Sequence, residues 1–164
     1  MALTATAAAW FVPFVLPICL YVMYTDLSRM KITNTANLAL VAVFAVIGLM
    51  VLPFDEYLWR LAALGIVLVV GIVLNAAGVM GAGDAKFLAA AAPFVALADL
   101  RLVMFLFIAC MLAALITHKV AKHSPLRRMA PHWTSWEQGK KFPMGLALGP
   151  TLGIYLGLGL FYGA

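Results

Sequence analysis

Two aspartates stand where apolar stretches of this sequence meet polar ones, and their carboxyl groups are the side chains best placed to do chemistry. Asp84 follows Gly81 and Gly83 in a Gly-x-Gly-Asp pattern, directly before an apolar run. Asp26 follows the first apolar run of the chain. Ionisable groups are costly in apolar surroundings, so each position indicates a functional site. The glycines allow a tight turn and the close approach of another segment.

Two carboxyl groups a short distance apart can together hydrolyse a peptide bond. Like charges at such a distance cannot both ionise readily, so the pair shares one proton. The ionised member can take a proton from water while the protonated member polarises the peptide carbonyl. This chemistry needs no cofactor and no metal, and the sequence has no Cys and His cluster with zinc-ligand spacing. The alternative is that both aspartates cap helices or pair with basic residues at a membrane surface.

The composition is that of a protein that crosses a membrane several times. Of the 164 residues, 66% are hydrophobic and only 10% are charged, whereas a soluble domain of this size has about 25% charged residues. The apolar runs are continuous rather than alternating, which indicates helices and not the strands of a barrel. We therefore predict an all-α, polytopic membrane protein whose residues 1–164 form one domain in a lipid bilayer.

The apolar runs predict about six transmembrane helices, over residues 2–24, 35–52, 57–80, 87–98, 102–117 and 142–162. The fourth run is too short to cross the ~30 Å hydrocarbon core, unless its helix starts near Asp84 and holds that carboxyl at membrane depth. No Lys or Arg precedes the first run, so we expect it to be retained and not cleaved as a signal peptide.

The last run carries a strip of glycines at every fourth position. We expect this strip to pack within the bundle, and a homodimer interface is the alternative. Its members are Gly145, Gly149, Gly153 and Gly157.

Basic residues fall almost entirely in alternate loops. Nine of the eleven Lys and Arg residues lie in the first, third and fifth loops, which the positive-inside rule places in the cytoplasm. They are Arg29, Lys31, Lys86, Lys119, Lys122, Arg127, Arg128, Lys140 and Lys141. Arg60 and Arg101 lie in the other loops. The net charge of +5 thus follows from membrane orientation and not from nucleic-acid binding, and both aspartates are expected at the cytoplasmic face.

Three further polar or aromatic features have expected structural roles. Asn34 is expected to cap the second helix, and Lys86 to anchor at the interface or to stabilise a carboxylate. In the loop over residues 118–141, Trp133 and Trp136 are expected to be interfacial anchors.

Two stretches resemble the type IV prepilin peptidases, which are GxGD aspartyl proteases of the prokaryotic inner membrane. The first is Asp26…Arg29…Ile32-Thr33-Asn34, and the second is Gly81-Ala82-Gly83-Asp84-Ala85-Lys86. The small size is similar to that of the short Tad/Cpa-type members, which process Flp-like pilins. The family often has proline where this chain has Thr33, and Pro-Tyr-Gly where it has Pro143-Met144-Gly145.

The resemblance implies a multi-pass aspartic endopeptidase of the inner membrane whose active site faces the cytoplasm. Its substrate would be a prepilin with a hydrophobic N-terminal helix, from which it removes a short basic leader. Asp26 and Asp84 would be catalytic. The supporting motif residues would be Gly81, Gly83, Lys86, Arg29 and Asn34. The larger members also N-methylate the pilin through an extra cytoplasmic domain, which has no counterpart after Asp26 here, so methyltransferase activity is not expected.

Two alternatives stay open. The first is a GxGD protease for another substrate, such as a preflagellin or signal-peptide remnants. The second is a small transporter or assembly subunit whose aspartates carry protons or cations. Against the second, both acids are expected near one membrane face and not at the midplane, where coupling sites usually lie.

Overall fold

The structure, a computed structural model, describes residues 1–137 and 142–163, so Lys140 and Lys141 lie outside the described residues. The described chain is helical, and its principal helices are α1 (Ala5–Arg29), α2 (Asn34–Val51), α3 (Phe54–Ala76), α4 (Ala82–Ala91), α5 (Leu100–His123) and α6 (Gly145–Tyr162). All but α4 are long and apolar enough to cross a membrane, α5 being counted from Leu97. The prediction of an all-α, polytopic membrane protein is confirmed.

The first helix is longer than the sequence predicted. It begins after Thr4, whose hydroxyl accepts a hydrogen bond from the Ala7 N–H at 3.2 Å. It continues past residue 24 to Arg29, a cation that the C-terminal end of a helix dipole favours, and stops at Met30, which has a left-handed backbone (φ 52°). Asp26 therefore lies in the last turn of α1 and not in a loop.

The turn between α3 and α4 also differs from the prediction. α3 begins at Phe54, so that Asp55 and Glu56 lie in its first turn, where the helix dipole favours acidic residues. It ends at Ala76, four residues before the predicted end, and Gly78 supplies the left-handed backbone (φ 72°) that reverses the chain. α4 begins at Ala82, which agrees with a helix that starts near Asp84.

α1 is the central helix of the bundle, packed against α6 and α2. α4 lies between α2 and α3, and α5 packs on α6. Three fully buried phenylalanines fill the middle: the ring centroid of Phe94 lies 5.0 Å from that of Phe11 and 5.4 Å from that of Phe44. They join α1, α2 and the segment after α4 by apolar burial and edge-to-face ring contact.

The glycine strip of α6 packs against α1 over most of its length. A Cβ added at Gly145, Gly149 or Gly153 would meet Asp26, Met23 or Leu16 respectively, all on α1. At Gly157 nothing lies within 4 Å, and Gly159 takes over the contact, against Ala8 and Leu3. The expected packing within the bundle is thus found for the first three glycines.

A distal polar cluster, made of Asp99, Tyr155, Arg60 and Glu56, lies at the end of the bundle away from Asp26. The Asp99 carboxylate accepts hydrogen bonds from the Leu3 N–H at 3.1 Å and the Tyr155 hydroxyl at 2.9 Å. These bonds tie the beginning of α1 to the beginning of α5 and to α6.

Arg60 adds α3 to this cluster. Its guanidinium donates to Glu56 Oε1 at 2.6 Å and to the backbone carbonyl of Phe94 at 3.2 Å. The sequence placed Arg60 in a loop, but it is buried within α3. A planar guanidinium has enough donors to satisfy both a carboxylate and the carbonyls left open after α4.

Two glycines on α3 should respond oppositely to substitution by alanine. A Cβ on Gly71 would lie 2.9 Å from Ala85 Cβ and 3.4 Å from its Cα, whereas nothing lies within 4 Å of one on Gly65. We expect Gly71→Ala to destabilise the protein by about 1–3 kcal/mol through overpacking. We expect Gly65→Ala to be neutral or to stabilise it by up to about 1 kcal/mol. Unfolding in one detergent measures both, and equal effects would contradict the packing described.

Candidate functional site

Asp26 is held against the beginning of α6. Its side chain is 5% exposed, and its Oδ2 atom accepts a hydrogen bond from the Gly145 N–H at 2.6 Å. Gly145 is the first residue of α6, so its N–H is among those that have no partner within the helix, and the helix dipole favours a carboxylate there. A Cβ on Gly145 would lie 2.9 Å from both Cβ and Oδ2 of Asp26. The contact therefore requires glycine.

Asp84 is the third residue of α4, and its carboxyl group turns back over the residue that precedes the helix. It accepts a hydrogen bond from the backbone of Gly81, and a Cβ on Gly81 would lie 2.6 Å from its Oδ2 atom. An acidic side chain that reaches back in this way satisfies one of the open N–H groups at a helix start. Both aspartates are therefore held by the backbone of a glycine that has no room for a side chain.

The structure brings the two predicted aspartates to the same end of the bundle. The charge of Asp26 acts on the Asp84 carboxyl. The beginning of α4 lies beside the link that follows α1, because a Cβ on Gly83 would be 3.4 Å from Ile32 Cβ. In the described ranges neither aspartate forms an ion pair with a lysine or arginine. Asp84 does cap its own helix, which was the alternative to a catalytic role, but a second carboxyl group lies at the same end of the bundle.

Two supporting residues form a bridge beside the pair. Lys86 Nζ donates to Asn34 Oδ1 at 3.0 Å, and both side chains are exposed. The bridge joins the two sequence motifs, since Asn34 opens α2 and Lys86 lies two residues after Asp84. The expectation that Asn34 caps α2 is wrong, because the hydroxyl of Thr33 takes that place and accepts the Ala36 N–H at 3.3 Å.

Of the other motif residues, Arg29 is exposed in the last turn of α1. Gly83 packs against Ile32 as described. Gly81 precedes α4 and donates to Asp84. All the predicted site residues thus lie at one end of the bundle.

The segment after α5 braces the end of α1. Thr134 Oγ1 donates to the Ser28 carbonyl at 3.0 Å, and the ring of Trp133 contacts that of Tyr24 edge-on. Trp136 is 5% exposed and stacks on His118 with ring centroids 5.1 Å apart. The prediction that Trp136 is an interfacial anchor is therefore wrong: its indole is buried within the protein.

Gly145 contacts Asp26, and the sequence did not assign it to the site. The signal available for it was the Pro143-Met144-Gly145 opening of the last apolar run. That pattern marks a helix start, but it does not say which carboxyl the first N–H will bind.

Comparison with known proteins gives one match. The family model described as the Type IV leader peptidase family matches residues 13–118. The matched range is more than half of the chain, and it contains Asp26 and Asp84 but ends before Gly145. No curated protein and no solved structure matches the chain.

Proposed function

The chain belongs to the type IV leader peptidase family, and from this premise we propose that it is a membrane-embedded aspartyl endopeptidase in which Asp26 and Asp84 perform the hydrolysis. The observation that carries the proposal is the arrangement of the two carboxyl groups. They lie at one end of the bundle within electrostatic reach of each other, and each accepts a hydrogen bond from a glycine N–H.

The mechanism follows from one proton shared between two carboxyl groups. The ionised carboxylate removes a proton from water, and the water oxygen attacks the carbonyl carbon of the scissile peptide. The protonated carboxyl donates its proton to the carbonyl oxygen, which gives a neutral tetrahedral intermediate. On collapse the C–N bond breaks, the leaving nitrogen takes a proton from the protonated member of the pair, and one hydroxyl of the intermediate gives its proton to the ionised member. The products are a carboxylic acid and an amine, and the pair again holds one proton. The N–H of Gly145 and the backbone of Gly81 keep the two carboxyl groups oriented throughout.

The proposed substrate is a Flp-like prepilin, cut at the cytoplasmic face of the prokaryotic inner membrane on the leader side of its hydrophobic helix. The family supplies the leader-peptidase activity and the membrane setting. The excess of basic residues in the loops at the aspartate end supports the cytoplasmic orientation. The absence from the sequence of an insertion after Asp26 supports a short member of the family that does not methylate its product.

The test uses the purified protein in detergent with a Flp-like prepilin that carries its leader. We expect a size shift and one new N-terminus, directly before the hydrophobic segment of the pilin. A prepilin in which the residue before the scissile bond is replaced by proline serves as the matched control. Failure of folded wild-type protein to cleave any of several prepilins would contradict the proposal.

A further inference from the structure

One buried polar side chain of α2 has no hydrogen-bond partner among the described residues. Asn37 on α2 is 7% exposed, and neither its amide nitrogen nor its amide oxygen has a hydrogen-bond partner among the described residues. Burying an unpaired donor and acceptor costs free energy, and the cost is larger inside a bilayer, where water is scarce. A buried carboxamide with no protein partner is not explained by packing, so another role is needed to explain it.

The position of Asn37 follows from the register of two helices. At one end Lys86 Nζ of α4 meets Asn34 Oδ1 of α2 at 3.0 Å, and at the other the rings of Phe44 and Phe94 lie 5.4 Å apart. The two helices therefore run parallel. Asn37 lies one turn, or about 5 Å, further into the bundle than Asn34. On α4 the same level is reached about one turn after Asp84.

The core between Asn37 and the distal end of the bundle is apolar. Leu40, Phe44, Phe94 and Phe11 are all fully buried, and they close the core between Asn37 and the distal end. These residues separate Asn37 from the distal end, so a polar ligand would not reach it from there.

The ligand must also be small. Ala36 and Phe87, which lie at the level of Asn37 on the two helices, are 4% and 1% exposed. Such close packing excludes a peptide strand but not a single water molecule, which can accept from the amide nitrogen and donate to the amide oxygen. Ordered water commonly satisfies buried polar groups in this way.

We propose that the Asn37 carboxamide holds a water molecule beneath the two carboxyl groups and supplies it to them as the attacking water. The inference rests on the proposed function, because each peptide bond that is hydrolysed consumes one water. Water is scarce within an apolar bundle. A polar group that binds one water molecule next to the two carboxyl groups therefore keeps the nucleophile close to the site of attack. Asn37 is then a positioning residue: it holds the nucleophile before attack and exchanges no proton with the substrate.

The test compares Asn37→Leu with Asn37→Ser, whose hydroxyl can still bind water. Prepilin cleavage gives kcat and KM, and thermal unfolding in the same detergent gives the melting temperature. We expect Asn37→Leu to lower kcat by about 10²-fold, the size of effect that misplacing a reacting group produces. KM should stay within about twofold of the wild-type value, because substrate binding is untouched. The melting temperature of Asn37→Leu shows that the variant is folded, and Asn37→Ser should keep most of kcat.

Three outcomes would overturn the inference while the proposed function stands. They are a fully active Asn37→Leu variant, an Asn37→Leu variant in which KM rises but kcat does not fall, and an Asn37→Ser variant that loses as much kcat as Asn37→Leu. Wild-type protein that cleaves no prepilin would overturn the proposed function and this inference together.

Discussion

Asp84→Asn is expected to lower prepilin cleavage by at least about 10³-fold, the scale of a lost general acid–base group, without unfolding the protein. The amide has the shape of the carboxyl and can still accept the hydrogen bond from Gly81, so the beginning of α4 should be retained. What is lost is the group that takes up and gives back a proton. Cleavage of a prepilin by matched amounts of variant and wild type, with melting temperatures measured alongside, gives the result.

Asp26→Asn is expected to be as damaging, and the double variant no worse than either single one, because residues that act as one unit lose their function together. Asp55→Asn is the matched control: its carboxylate is exposed in the first turn of α3, near the distal end, and its loss should leave cleavage unchanged. If Asp26→Asn kept full activity, the two-carboxyl mechanism would be wrong.

Gly145→Ala is the second substitution with a large expected effect. The added methyl would lie 2.9 Å from Asp26 Oδ2 and 2.9 Å from its Cβ, so either the last turn of α1 or the first turn of α6 must move. Such a shift should lower cleavage by about 10²-fold. Overpacking against a helix end should also cost about 1–3 kcal/mol of stability. Initial rates at saturating prepilin and unfolding in detergent measure the two effects.

Gly157→Ala is the control for this substitution, since it lies on the same helix with nothing within 4 Å of the added Cβ. It should keep full activity and gain up to about 1 kcal/mol from helix propensity. If both variants behaved alike, the Gly145 contact with Asp26 would not be what positions that carboxyl.

The helices were predictable from the sequence because continuous apolar runs have few other stable forms in a bilayer, but several helix ends were not. α1 continues through Thr25-Asp26-Leu27-Ser28-Arg29 because nothing there breaks a helix, while hydropathy marks only where the apolar residues stop. Thr33 and Asn34 are both good capping residues, and hydropathy cannot choose between neighbours. Because Thr33 caps α2 in the structure, the Asn34 side chain can accept the hydrogen bond from Lys86.

The placement of the two aspartates at the same end of the bundle was also predictable, because counting the predicted membrane crossings puts Asp26 and Asp84 on the same side of the membrane. The group that holds Asp26 was not. Gly145 lies 119 residues away in the chain and contributes a backbone N–H, which carries no side-chain signal. The lack of a hydrogen-bond partner for Asn37 among the described residues could not be predicted either. The sequence does not show which face of α2 meets the core or which residues lie opposite that face.

The distal polar cluster has a consequence for how the bundle moves. Its hydrogen bonds join the beginning of α1 to the beginning of α5 and to α6, and they join α3 to the segment after α4, all at one end of the bundle. At the other end, α6 is joined to Asp26 by one bond from Gly145. Local opening has its lowest cost where the fewest such bonds must break. We therefore expect the helices to move apart more readily at the end that holds the two aspartates, with the distal end as the fixed base of that motion.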